Sequence, residues 1–217
     1  MTLARLASAA QEVGLTLRGA FHPNAHDGTP EGTQTLVLLG PDEPAFWAIF
    51  TSSPEYLDAS SDPLDRWSKR VATGLAGSFG GTAIFPYDGP PYPPFLRWAE
   101  RSGACWSSPV GLLVHKTAGL FISYRAALAL PERLGLDASS DAPCSDCDAR
   151  PCENACPVGA LAPDQPYDVV ACKAHLRSAE GADCRSGCLV RRACPVSQRF
   201  GRLPEQSAFH MRAFLGE

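Results

Sequence analysis

The sequence predicts an α+β chain in two parts, a sheet-bearing domain over residues 1–135 and a cysteine-rich module over residues 140–217. Three observations carry that reading. Apolar runs of strand length alternate with segments of helical spacing through the first 130 residues. Eight of the nine cysteines fall between Cys144 and Cys194. Between the two parts, Leu134–Pro143 has the small and polar composition of a linker.

In the first part, Leu3, Leu6, Ala7, Ala10 and Val13 recur at helical spacing, which predicts an amphipathic helix ending at Gly14. Leu15–Phe21 reads as a strand, and Pro23–Gly32 as a loop rich in Gly, Pro, Asn and Asp. Thr35–Gly40 centres on the apolar run Leu-Val-Leu-Leu and predicts a short buried strand. Glu43–Phe50 predicts a helix with proline in its first turn. Asp62-Pro63 reads as an N-cap followed by proline at the first helical position, opening a helix through about Ser78. Gly80-Gly81 stops it, and Thr82–Phe85 is a short strand. The stiff turn Asp88–Pro94 leads to a short helix over Phe95–Arg101. Gly111–His115 and Leu120–Leu130, joined by a tight turn at Lys116–Gly119, are predicted to pair as a hairpin. Gly74, Gly77, Gly80 and Gly81 are not a dinucleotide fingerprint, because they follow a helix and not a strand.

Composition excludes several classes. The apolar fraction of 45% suits a globular core. The net charge of −4 lacks the basic footprint of a nucleic-acid binder. No apolar run reaches the length of a membrane span. The apolar stretch at the N-terminus is short and interrupted by Arg5, so no export signal is read and a cytoplasmic protein is expected. Clustered cysteines in such a compartment point to metal rather than disulfides.

The cysteines run Cys144-x2-Cys147-x4-Cys152-x3-Cys156-Pro157, then Cys172, then Cys184-x3-Cys188-x5-Cys194-Pro195. The bacterial ferredoxin run is C-x2-C-x2-C-x3-C-P, from which the first half departs by two residues in its middle gap. Cluster iron prefers thiolate sulfur, and close spacing lets one loop wrap several corners of a cube. The pattern therefore predicts two 4Fe–4S clusters held by all eight. In two-cluster ferredoxins the fourth cysteine of each run ligates the other cluster. Carried over, that crossover assigns Cys144, Cys147, Cys152 and Cys194 to one cluster, and Cys156, Cys172, Cys184 and Cys188 to the other. A pair of four-cysteine zinc sites is the rival reading. Cys105, beside Trp106, reads as an inert buried thiol. Arg177, Arg185, Arg191, Arg192, Arg199 and Arg202 flank the module and either offset cluster charge or form a solvated basic face.

Two stretches resemble known families. Gly111-Leu-Leu-Val-His115 followed by Gly119-Leu-Phe121-Ile-Ser-Tyr-Arg125 resembles the cobalamin-processing chaperones of the cobalamin C family. Asp62-Pro63-Leu64-Asp65 and Thr35–Gly40 with Pro44-Ala-Phe46 add to that likeness, which covers roughly residues 15–135. It implies a flavin-reductase-like (nitroreductase-like) sheet that binds cobalamin base-off. It also implies Gly111, His115, Gly119, Phe121 and Arg125 as cofactor-binding residues, the last at a position that lies in the family's glutathione pocket. The cysteine segment resembles that of epoxyqueuosine reductases and reductive dehalogenases, with Cys172 matching their lone cysteine, which implies a ferredoxin-like dicluster module beside a corrinoid. Together these imply an oxidoreductase that takes electrons from a donor protein and passes them to a corrinoid for reductive ligand removal or cleavage of a small molecule. The rivals are a non-catalytic ferredoxin-type carrier and a flavin-dependent reductase. No nucleic-acid or membrane partner is expected.

Overall fold

The computed structural model describes residues 2–136 and 141–217, so part of the expected linker lies outside the described residues. The protein is mixed α+β with a small antiparallel sheet. Its chain forms two compact units. The first runs to Cys105 and resumes at Ser123, and the second takes Trp106–Ile122 and then everything from Asp141. The boundary thus differs from the predicted division at 135/140: residues 106–122 belong with the cysteines.

The first unit opens with helix α1 (Leu3–Glu12), capped by the Thr2 hydroxyl, which accepts from the Arg5 amide at 3.3 Å. Strands β1 (Leu15–Phe21) and β2 (Thr35–Pro41) follow. Their pairing slips between Leu17 and Ala20, where Gly19 takes a φ of +139°. A side chain there would collide with the Ser102 hydroxyl, so the bulge needs glycine on both counts. Helices α2 (Ala45–Thr51), α3 (Pro54–Leu57) and α4 (Pro63–Ser78) come next. Phe46 and Phe50 of α2 meet Trp67 of α4 edge-on at 5.3 and 5.8 Å. Asp62 precedes α4 as predicted, but with left-handed backbone (φ 51°) and no side-chain capping bond, so proline alone starts that helix. Strand β3 (Thr82–Ile84) and helix α5 (Phe95–Arg101) complete this stretch.

The chain then enters the second unit through strand β4 (Cys105–Ser107), which pairs with β5 (Leu113–His115). It returns as β6 (Ala126–Leu130), which lies between β2 and β3, giving the antiparallel order β1-β2-β6-β3. The predicted hairpin between 111–115 and 120–130 is therefore not formed. The turn is real, with a bridge between His115 and Gly119, but the two arms join different sheets. The physical reason is apolarity. Ala126–Leu130 is buried at every residue, as is Thr35–Pro41, and such strands belong in the middle of a covered sheet. Leu36, Val37, Leu38, Leu39, Leu128 and Leu130 are all inaccessible to solvent.

The second unit continues as short helices: a 3-10 turn over Pro151–Asn154, then α6 (Val169–Arg177), α7 (Ala182–Arg185), α8 (Leu189–Ala193), α9 (Pro195–Gln198) and α10 (Pro204–Leu215). Its core is small and partly made of sulfur. Cys152 and Cys194 are buried with Val110, Val114, Leu120, Leu161 and Val190, and Cys144, Cys156 and Cys188 pack against them.

Candidate metal centres

Local backbone explains how eight cysteines are aimed inward. Cys144 and Cys147 share a turn in which the Cys147 amide donates to the Cys144 carbonyl at 3.4 Å. Arg150, in left-handed conformation, turns the chain into the 3-10 segment that holds Cys152. Cys172 and Cys184 stand on α6 and α7, and Cys188 and Cys194 directly precede α8 and α9. Pro195 starts α9 because a missing N–H costs nothing at the first helical position. This fixes the chain direction just beyond Cys194.

The cysteines gather in two groups. Cys144, Cys147, Cys152 and Cys194 line one cavity of about 130 Å³, with Ser108, Val114, Leu120 and Val196. Cys156, Cys172, Cys184 and Cys188 line a second, tighter one of about 20 Å³, with Leu161, Leu176 and Val190. Electrostatics report the same grouping. Burial raises the Cys144 and Cys152 thiol pKa values, and the neighbouring Cys194 thiol, distant in sequence, pushes them further. Burial likewise raises Cys172 and Cys184, with Cys188 and Cys156 adding to both. The Tyr167 hydroxyl donates to the Cys172 sulfur and acts in the opposite sense. The Leu189 amide donates to the sulfur of Cys184.

Among the described residues no three His, Cys, Asp or Glu side chains stand close enough to hold a single metal ion. All nine cysteines are free of disulfides. Cys105 stands in the first unit and is buried.

The residues implied as corrinoid-binding are divided. Gly111, His115, Gly119 and Phe121 lie in the second unit, and Arg125 in the first. His115 is buried, and its Nδ1 accepts from the amides of Thr117 and Ala118 at 3.1 and 3.2 Å, closing the turn. Gly119 has a φ of +55°, and a Cβ there would stand 2.5 Å from the Ser197 amide. That close approach lets the Ser197 hydroxyl accept from the Leu120 amide at 2.8 Å. The Arg202 guanidinium covers the Phe121 ring at 5.2 Å and donates to its carbonyl at 3.0 Å. Arg125 is withdrawn from water, which lowers its pKa, and its carboxylate neighbour is Asp65 at 3.5 Å. Gly111 alone is open: it is exposed, has a φ of +73°, and a Cβ added there would meet nothing within 4 Å.

Sequence reading missed the part played by residues 106–122. Val114 and Leu120 line the first cavity from a segment well before its cysteines in the chain. The only signal was their apolarity, which a strand of the first sheet would show equally. No protein-family model matches the chain, and neither does any curated protein or solved structure.

Proposed function

We propose that this chain is an iron–sulfur electron-transfer protein in which Cys144, Cys147, Cys152 and Cys194 hold one 4Fe–4S cluster and Cys156, Cys172, Cys184 and Cys188 hold the other. The observation that supports it is the grouping of the thiols. Two sets of four cysteines, each drawn from both halves of the motif, face two separate cavities. Donor chemistry fits as well, since cubane iron takes thiolate ligands.

When bound, each cluster supplies one-electron redox chemistry. The chain's residues do the rest. The eight cysteines bind as thiolates, and binding releases their protons. Val114, Leu120, Leu161 and Val190 exclude water from the sulfurs. The Tyr167 hydroxyl and the Leu189 amide donate to the sulfurs of Cys172 and Cys184 and stabilise negative charge there. Val158, Val169 and Val170, in sequence beside Cys156 and Cys172, are exposed and offer an apolar approach for an electron-donor protein. Free thiols in this number suit a reducing compartment such as the cytoplasm.

The second reading adds a base-off corrinoid, reduced for ligand removal or cleavage of a small-molecule substrate, on a flavin-reductase-like sheet with a ferredoxin-like module. It is favoured by the open, left-handed backbone at Gly111, where a large ring can approach. His115, Gly119, Phe121 and Arg125 are engaged in internal contacts, which favours the carrier reading over it.

Anaerobically prepared protein tests both. About eight irons and eight acid-labile sulfides per chain are expected. Stoichiometric zinc without sulfide would refute the proposal. Titration with cobalamin, and separately with flavin, decides the second reading. A blue shift of added cob(III)alamin supports the corrinoid, flavin bands support a flavin reductase, and no change in either leaves the carrier.

A further inference from the structure

The hydroxyl of Ser108 is out of keeping with its surroundings. Ser108 directly follows β4 and is 7% exposed, and its Oγ is buried with no hydrogen-bond partner among the described residues. The turn in which it stands does not use the side chain. The Ser108 amide donates to the Leu112 carbonyl at 2.8 Å, and the Ser108 carbonyl accepts from the Gly111 amide at 3.0 Å. Alanine would serve that turn equally well. What Ser108 does line is the first cysteine cavity, together with Cys144, Cys147, Cys152 and Cys194.

A buried hydroxyl without a partner is unfavourable, because burial strips it of water and replaces that hydrogen bond with none. The side chains around this cavity leave little choice of partner. Apart from the four cysteines they are Val, Leu and Pro, with Asp146 and Arg150 at its exposed rim. A trapped water needs roughly two to four polar partners, and beside Ser108 the buried lining has only sulfur to offer. Thiolate and sulfide accept hydrogen bonds and do not donate them. Facing metal-bound sulfur, the hydroxyl is therefore a donor.

We propose that the Ser108 hydroxyl donates a hydrogen bond to a sulfur of the first four-cysteine site and makes a cluster there easier to reduce. This rests on the iron–sulfur reading given above. Reduction adds negative charge, and a donor aimed at sulfur stabilises the reduced form more than the oxidised one. Hydrogen bonds to the sulfurs are among the levers that set a cluster's potential. The two charged groups of the lining act in opposite senses, Asp146 against reduction and Arg150 for it. Both are exposed, so solvent and salt screen them. Ser108 is neutral and buried, so its effect is independent of salt. The residue acts through the sulfurs and is a positioning residue for the electron.

The test compares anaerobically prepared wild type and Ser108→Ala, with iron and sulfide counted in each. Redox titration is followed by electron paramagnetic resonance, and pulsed deuterium spectra are taken of the reduced proteins in D2O. Cys147→Ser identifies the couple of the first site as the one it disturbs. In Ser108→Ala that couple should fall to more negative potential, by about tenfold in its reduction equilibrium or about 59 mV for one electron, while the other stays in place. One exchangeable deuteron coupled to the first cluster should disappear. An unmoved first couple, an equal shift of both, a shift confined to the other, or an undiminished set of coupled deuterons overturns the proposal. If Ser108→Ala fails to retain iron, Ser108→Thr decides, since it keeps the hydroxyl. Wild-type iron content and potential in that variant support the proposal, and loss of either overturns it. Wild-type protein without iron and sulfide refutes the underlying reading, whereas an iron-replete Ser108→Ala without a shift refutes only the role of Ser108.

Discussion

The two units of this protein are held together by different means. The first buries a continuous apolar core: two fully buried strands, the cluster of Phe46, Phe50 and Trp67, and Trp98, whose indole N–H donates to the Asp27 carbonyl at 2.7 Å. The second has a handful of apolar side chains, and its core is completed by cysteines. A sheet core needs nothing further to exclude water, because its burial is its stabilisation. A core lined by thiols is incomplete without what the thiols bind, as in small metal-dependent domains. On the proposed iron–sulfur reading, order in the first unit follows from side chains alone, while order in the second is coupled to the bound clusters.

The most severe test of that contrast is removal of the group. Chelation under oxidising conditions is expected to loosen residues 144–200 while the sheet stays folded, read by limited proteolysis with the fragments identified by mass. Equal protection of both units in metal-free protein would break the comparison. Next in size is loss of a ligand. Cys194→Ser should remove about half of the bound iron, in line with two clusters of four irons each. Cys105→Ser should leave iron content unchanged, because Cys105 belongs to the first unit. Loss of iron in the second variant would mean that the ligand set is wrong.

A smaller and opposite effect is expected in the sheet. Leu38 is inaccessible at the centre of β2. Leu38→Ala should cost about 2–5 kcal/mol, measured by the denaturant midpoint of the first unit, without changing the iron count at low denaturant. The smallest effect is electrostatic. Arg70 bonds Glu55 at 2.5 and 2.9 Å and holds its carboxyl at about 2, below the ordinary 4.5. A depressed carboxylate contributes stability that is present above pH 4.5 and lost as the pH falls towards about 2. The Arg70 side chain is half exposed, so the pair is worth about 1 kcal/mol or less. Glu55→Gln should lower the first unit's stability by that amount above pH 4.5 and leave it close to wild type near pH 2, which flattens the acid limb of the stability curve.

The elements of the first unit were legible in the sequence where a local rule governs them. Leu3–Glu12, Leu15–Phe21, Thr35–Pro41, Pro63–Ser78 and Phe95–Arg101 all lie within a residue or two of their predicted bounds. Periodicity, proline at a helix start and glycine stops act over a few residues and need no knowledge of the partner. The eight cysteines were picked out on the same kind of signal, since thiolate chemistry and spacing are local. Their grouping into two sets was readable only through a pattern known from ferredoxins, and the structure brings together the same two sets of four.

Pairing was not decided locally. Residues 111–115 and 120–130 look like two arms of one hairpin, yet they separate because Ala126–Leu130 must be covered on both faces and finds that only between β2 and β3. The intervening segment is left to close the first cysteine cavity with Val114 and Leu120. Residue type determined which chemistry the chain's side chains could take up. Burial, which depends on the whole fold, decided which of those residues act together, because desolvation is what makes a charge or a thiol count.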